Sequence, residues 1–261
     1  MRRVERAAVV VRIRDVGSAL ARLQAVADVA GVELVHEGDD ATGVDLAIVL
    51  GGDGTMLRAL SRFLGTGVAV FGVNFGSVGF LTSLTASELE AGLARVFGGE
   101  YKTIELPTLG VDLGNARAVN DVVVTSGSVG RVIHLEYAVG GEVLGVQACD
   151  GIVCATPAGS TAYNLSNGGP VLVWGLDAMV ITFAAPHTLH SRPLVVEPET
   201  DLVVTNRSPD VPAVVLIDGH RVDELEAGRS VTVRIGADRS RLALLPEQTF
   251  FTRYGQVFGI R

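Results

Sequence analysis

The chain has 261 residues, 48% of them hydrophobic, and a net charge of −8. That is enough apolar material for one large core or two modest ones, but no apolar run approaches the ~20 residues that a bilayer span needs. An acidic chain is also a poor partner for nucleic acid or an anionic membrane, whose binding draws on clustered Lys and Arg. A small polyanion held by backbone N–H groups and a few local cations stays open.

The basic start, Met1-Arg2-Arg3, precedes a short Val-rich run that Arg12, Arg14 and Asp15 interrupt. It reads as the first strand of a cytoplasmic protein and not as a signal peptide. Cys149 and Cys154 match no zinc spacing and suit buried thiols in a reducing compartment. Ala7 to Ile13 reads as extended, Ser18 to Ala30 as helical, Val32 to Val35 and Asp45 to Leu50 as extended. After a glycine cluster, Met56 to Leu64 reads as a helix and Gly67 to Asn74 as a strand. The alternation predicts parallel strands with crossover helices. Thr85-Ala-Ser-Glu88 has the form of a capping box ahead of an amphipathic helix from Ser87 to Phe97, which Gly98 and Gly99 end. From Tyr101 onward the texture changes to short Val-, Ile- and Thr-rich runs separated by turn residues. Leu135 to Val139, Gly140-Gly141 and Val143 to Val146 predict a hairpin. The expected organisation is an α/β domain over residues 1–100 and an all-β domain over 101–245, with 246–261 folding back onto the first and a ligand cleft between the two.

Two segments carry chemistry. Gly51-Gly52-Asp53-Gly54-Thr55 lies between an apolar strand and a helix, where glycines let backbone approach a phosphate and free N–H groups point at the anion. It is neither a dinucleotide-type Gly-x-Gly-x-x-Gly nor a Walker A loop. A carboxylate in such a loop repels phosphate unless it accepts a proton from an attacking hydroxyl or binds a metal. The alternative is that Asp53 merely caps the helix. The second segment, Asp150 to Pro170, is a strand that runs into a dense series of hydroxyls, amides and glycines around Tyr163. It suits ribose hydroxyls and a ring, or else a capped helix start at Ser160 or Thr161.

These segments resemble the motifs of the NAD kinase family, whose fold is shared with diacylglycerol-type lipid kinases. Gly51 to Thr55 is similar to the family's Gly-Gly-Asp-Gly-Thr, and Asn74 to Leu81 to its Asn-x-Gly-x-x-Gly-Phe-Leu. Asp150 to Tyr163 is similar to Asp-Gly-x-x-x-x-Thr-Pro-x-Gly-Ser-Thr-Ala-Tyr. Asn120-Asp121 resembles its Asn-Glu pair, and Pro186-His187 with Ser191 to Leu194 its later motif. Asp121, Ala158, Ala185 and Ala148 depart from it: the first is shorter than Glu, the next two lack a hydroxyl, and the last removes a cation found in some members.

The resemblance implies an enzyme that phosphorylates the 2′-hydroxyl of the adenosine ribose of NAD, with ATP or another donor, to give NADP. It makes Asp53 the general base and phosphate-loop carboxylate, with Gly54 at the ligand and Arg58 facing a phosphate, all three among the residues that bind NAD. Asn120 and Asp121 would hold ribose or amide groups, Arg131 would approach the phosphates, and Asp150 would meet the nicotinamide side. Thr161, Ala162, Tyr163, Asn164, Leu165 and Ser166 would line the dinucleotide site, with Ala185 beside it and His220 near its far end. The few cations near the loops leave charge neutralisation to Mg²⁺ arriving with ATP, with Asp53 as its protein ligand and no side-chain cage. A homodimer or homotetramer is implied, with neither nucleic acid nor membrane as partner. The competing readings are a lipid kinase of the same fold, which predicts an apolar entrance, and a non-catalytic NAD-binding regulator, for which Asp53 would be a hindrance.

Overall fold

The computed structural model describes residues 3–12, 16–188 and 190–259, so Ile13, Arg14, Asp15 and the first two residues, which enter the reading of the N-terminal strand, lie outside it. The chain divides into two units, one of Met1–Glu105 with Ser240–Arg261 and one of Leu106–Arg239.

The first unit is α/β. Its elements are β1 (Arg6–Val11), α1 (Val16–Ala30), β2 (Glu33–Val35), β3 (Leu46–Gly51), α2 (Asp53–Arg62), β4 (Ala69–Asn74), β5 (Leu84–Thr85) and α3 (Leu89–Phe97). β1 pairs in parallel with β2 and β3, and β3 with β4, giving the order β4-β3-β1-β2. Every residue of β3 and of β4 is buried. That is why both read as apolar runs, broken in β4 only by its last residue, Asn74: a parallel strand is covered on both faces. α3 buries Leu89, Gly92, Leu93, Val96 and Phe97, the i, i+3, i+4, i+7, i+8 stripe of an amphipathic helix. It begins after a separate 3-10 turn, Ala86–Glu88, rather than at Ser87, and the Thr85 N–H donates to the Glu88 carboxylate at 2.9 Å. α2 begins at Asp53, three residues earlier than the apolar pattern indicates. Gly52 takes the extended N-cap conformation, and its carbonyl accepts the Thr55 and Met56 N–H groups.

The second unit is β-rich. It comprises β6 (Lys102–Val111), which carries the chain in, then β7 (Arg117–Ala118), β8 (Asp121–Ser126), β9 (Ile133–Val139), β10 (Glu142–Cys149), β11 (Gly151–Ala155), the four-residue helix α4 (Tyr163–Ser166), β12 (Met179–Ala184), β13 (Leu194–Val196), β14 (Leu202–Asn206), β15 (Ala213–Ile217), β16 (His220–Leu225) and β17 (Ser230–Leu244). β9 and β10 form the glycine-turn hairpin, with Glu142 opposite Val139. One sheet has the order β13-β12-β11-β8-β15-β16, and strands β10, β9, β14 and β17 pair in that order in another. Their inward faces share a core that includes Leu109, Ile133, Leu135, Ile152, Ile181, Val204 and Val215. β17 runs back into the first unit, where Leu242 pairs with Val70 of β4, and the last helix, α5 (Phe250–Phe258), follows it there. Cys149 and Cys154 are free and buried, and burial pushes the Cys149 thiol up to about 12.

Candidate active site

In the first unit the strand-to-helix junction puts Asp53 on the first turn of α2, followed by an exposed Gly54. A Cβ added at Gly54 would meet nothing within 4 Å, so the space above this turn is open to a ligand. Arg58 is also exposed and stands four residues after Gly54, on the same face of the helix. A helix start with free N–H groups and a following cation suits a phosphate.

The Asp53 carboxylate does not cap α2. It reaches instead to the segment that follows β4, where Oδ2 accepts the Phe80 N–H at 2.7 Å and Oδ1 the Leu81 N–H at 3.0 Å. The approach is close enough to require glycine at position 79, since a Cβ there would lie 2.2 Å from Oδ1. Asn74 shapes the intervening turn, accepting the Gly76 N–H at 2.9 Å and donating to the Ser77 carbonyl at 2.6 Å. Each Asp53 oxygen accepts one N–H and keeps further acceptor capacity. The first two glycine motifs of the sequence therefore form one hydrogen-bonded assembly in the first unit.

The remaining candidates lie in the second unit, in two groups. Asp121 opens β8 opposite Ala155, the last residue of β11. Beside it, the Thr156 N–H donates to the Asn120 carbonyl at 2.9 Å, and a Cβ on Gly159 would lie 2.0 Å from that same oxygen. The hydroxyl- and amide-rich loop 156–166 is thus built against Asn120. Thr161 is half-buried and Tyr163 is 47% exposed. Ser160 and Asn164 are fully buried and occupied within the loop. The Ser160 hydroxyl donates to Pro157 O and accepts Leu172 N–H, whereas Asn164 donates to Ser160 O and Pro170 O and accepts the Thr182 hydroxyl. The turn that carries His220 belongs to this end too, because the Asp218 N–H donates to the Asp121 carbonyl at 3.0 Å.

The second group is at the other end of β11, roughly 20 Å away at the rise of an extended strand. Asp150 donates its N–H to the Ala184 carbonyl, and its own carbonyl accepts from Ser126 N–H and the Thr125 hydroxyl. Ala185 follows directly, and Arg131 lies on the exposed loop that leaves β8 at this end. Among the described residues, Ala185 (φ 43°) and Asp218 (φ 48°) are the non-glycine positions with left-handed backbone. One falls in each group, and such strain gathers at functional sites.

Asp218 escapes a reading of motifs. Its carboxylate accepts the N–H groups of Val119 (2.9 Å), Asn120 (2.8 Å) and Asp121 (3.2 Å), and so fixes the backbone of the Asn120-Asp121 pair. The available signal was the Asp-Gly turn, since Asp tolerates a left-handed backbone better than most residues. Asp121 itself is 7% exposed. Burial, and then the charge of Asp218, push its carboxyl up to about 7. Burial likewise raises Asp218, against the three N–H groups that favour its anion.

A glycine-rich strand-to-helix turn with an acceptor carboxylate, on an α/β unit continued by a β-rich unit, is an arrangement that suits a phosphotransferase of the nucleotide-handling kind. Family models for the ATP-NAD kinase N-terminal domain and the ATP-NAD kinase C-terminal domain match residues 21–101 and 119–245. The NAD kinase of Heliobacterium modesticaldum is 40% identical over 231 residues, covering 84% of this chain and 82% of that protein. The NAD kinase of Syntrophotalea carbinolica is 38% identical, covering 86% and 81%. Among solved structures, an NAD kinase from Archaeoglobus fulgidus in complex with ATP superposes with a TM-score of 0.79 at 25% identity, covering 97% of each chain. Yeast NADH kinase complexed with NADH has the same fold, with a TM-score of 0.84 at 21% identity, covering 100% of this chain and 89% of the other. The chain belongs to the NAD kinase family, and its activity is that of an NAD kinase. Neither the lipid-kinase nor the regulator reading is favoured by these relatives.

Proposed function

We propose that Asp53 is the general base for transfer of the γ-phosphoryl group of ATP to the 2′-hydroxyl of the adenosine ribose of NAD. Asp53 takes the hydroxyl proton, the ribose oxygen bonds to the γ-phosphorus, and the bond to the β-phosphate oxygen breaks, giving NADP and ADP. A ribose hydroxyl is a weak nucleophile at neutral pH, so a base in reach contributes on the order of 10²–10⁴-fold. The observation that carries this reading is the Asp53 carboxylate held by Phe80 and Leu81 N–H beside the open turn at Gly54. Gly54 and Arg58 receive phosphate. Asn120, Asp121, Thr161, Ala162, Tyr163, Leu165, Ser166 and His220 contact the dinucleotide, and Asn164 holds the shape of their loop. Arg131, Asp150 and Ala185 act at phosphates and nicotinamide.

Among the described residues, no three His, Cys, Asp or Glu side chains gather as metal ligands. The donor set near the loop fits Mg²⁺ carried by the triphosphate, with Asp53 as its protein ligand, because Mg²⁺ is commonly held by phosphates, water and one or two carboxylates. When bound it neutralises developing charge on the phosphates.

We also assign the protein to the cytoplasm; no described helix is long and apolar enough to cross a membrane. A homodimer or homotetramer is supported by exposed Val143, Leu144 and Val146 on the edge strand β10. The test of the reaction is incubation of the purified protein with NAD, ATP and Mg²⁺, with NADP measured enzymatically and the site of phosphorylation by NMR. Product phosphorylated elsewhere, or no NADP with any triphosphate or polyphosphate donor, overturns it. Light scattering decides the oligomeric state.

A further inference from the structure

The segment that holds Asp53 is itself held from behind. Two and three residues beyond Phe80, the carbonyls of Thr82 and Ser83 both accept from Nη2 of Arg253 on α5, the second at 3.3 Å. The Gln248 side chain also donates to Ser83 O. Phe80 adds its ring to the same contact, with centroids 6.2 Å from Phe250 and 5.8 Å from Phe258. The far end of the segment is tied to the sheet by Ser83, whose N–H donates to Gly72 O at 2.8 Å and whose hydroxyl donates to Ala243 O at 3.2 Å. The Thr82 side chain adds no anchor, its buried hydroxyl lacking a partner among the described residues. Residues 80–83 thus form a short bridge. Their N–H groups grip the Asp53 carboxylate and their carbonyls are gripped by the guanidinium of α5.

The guanidinium is half-buried. Besides the two carbonyls it meets the Gln256 side chain at 3.1 Å, and the carboxylates whose charges act on it are Asp53 and Glu88. Burial opposes that attraction and lowers its pKa, which nonetheless leaves a group of this basicity charged. The peptide groups whose carbonyls Arg253 holds are not those whose N–H groups donate to Asp53, so the connection between the two side chains runs through the path of the 80–83 backbone.

From this geometry we infer that Arg253 is a positioning residue for the reaction: through the 80–83 backbone it sets the orientation of the Asp53 carboxylate, which makes the C-terminal helix a functional part of the phosphate site. This rests on the reading of Asp53 as the base. Its consequences differ from those of a helix that merely adds stability. Loss of Arg253 should lower the turnover rate and leave NAD binding alone, and the loss should vanish once Asp53 no longer acts.

The experiment is a double-mutant cycle on the full-length enzyme with Arg253→Met, Asp53→Asn and the pair, together with Arg253→Lys. The expected results are a kcat for Arg253→Met lowered tenfold or more at saturating NAD and ATP, KM for NAD within twofold of wild type, and recovery of most of the loss in Arg253→Lys. The pair should have the kcat of Asp53→Asn alone. Amide exchange at Phe80 and Leu81 should quicken in Arg253→Met. Losses that multiply in the pair, or an Arg253→Met kcat within twofold of wild type, overturn the inference. The Asp53→Asn enzyme by itself decides whether Asp53 is a base, so the two ideas fail separately. Should Arg253→Met not fold, Arg253→Gln takes its place in the cycle.

Discussion

Asp53 and Phe80 are joined by a 2.7 Å hydrogen bond across 27 residues of chain, from the Phe80 N–H to Asp53 Oδ2. With the Leu81 N–H on the other oxygen, this gives the carboxylate a structural duty beside its chemical one, and the two separate on substitution. An Asn side chain keeps one acceptor, but its amide nitrogen would face the second N–H group donor to donor. Asp53→Asn should therefore cost about 2 kcal/mol of stability, the scale of a hydrogen bond to a charged group. It should also lower kcat by about 10²-fold or more, with the NAD dissociation constant little changed. Denaturant unfolding, single-site kinetics and calorimetric titration with NAD measure the three quantities. A folded Asn enzyme that keeps more than about a tenth of wild-type kcat leaves Asp53 only the structural duty.

Gly54 supplies the complementary case. It is exposed inside a helix, has no neighbour within 4 Å of an added Cβ, and does not need a left-handed backbone. Nothing in the protein itself asks for glycine there, and Ala would favour the helix by about 0.5–1 kcal/mol. The reason for glycine is then a phosphate that comes close to the backbone. Gly54→Ala should melt at or slightly above the wild-type temperature and raise KM for ATP at least tenfold. An Ala enzyme with unchanged kinetics would place the phosphates elsewhere.

Much of this was legible in the residues alone. Leu46 to Leu50 reads as a doubly covered parallel strand because every position is apolar, and the Gly140-Gly141 turn announces its hairpin because both glycines take positive φ. The glycine motifs and Thr156 to Tyr163 mark themselves by composition. The partners of those motifs are not legible. Asp53 meets Phe80 and Leu81 through backbone N–H groups, which every residue but proline has, so no side-chain pattern records the contact. Arg253 and Asp218 act in the same way, on carbonyls and N–H groups far off in sequence. Ser160 and Asn164 look like ligand contacts because they are polar and near Tyr163, and only burial separates the side chains that build the loop from those that face outward.

Asp121 and Asp218 predict how stability depends on pH. Asp121 keeps its proton in the folded state up to about 7, mainly through burial and then through the charge of Asp218. In the unfolded chain it ionises near 4, the usual value for Asp. Between those values the unfolded state binds fewer protons, so this group makes the protein less stable as pH rises, and its effect levels off above the folded value. Asp121→Asn has the same shape and no charge to bury. Measured at pH 5 and pH 7.5, the stability difference between the Asn variant and wild type should move in favour of the variant, by on the order of 2 kcal/mol. A difference that is the same at both pH values would mean that Asp121 is ionised throughout.

Tyr163 and Asn164, adjacent in sequence, should separate binding from folding. The Tyr163 side chain is 47% exposed, so Tyr163→Ala removes little that the folded protein uses and should change stability by no more than about 0.5 kcal/mol. If the ring shapes the dinucleotide pocket without moving a proton, KM for NAD rises while kcat at saturating NAD changes much less. Asn164 is fully buried and its amide serves Ser160 O, Pro170 O and the Thr182 hydroxyl. Asn164→Ala leaves these three groups without a partner, at about 1–3 kcal/mol for each that water cannot reach, and should destabilise by at least about 3 kcal/mol. Thermal melting of both variants beside their NAD kinetics gives the comparison. A Tyr163→Ala enzyme with a large drop in kcat would give the ring a part in the reaction itself, and a stable Asn164→Ala with poor NAD binding would turn Asn164 from a builder of the loop into a ligand contact.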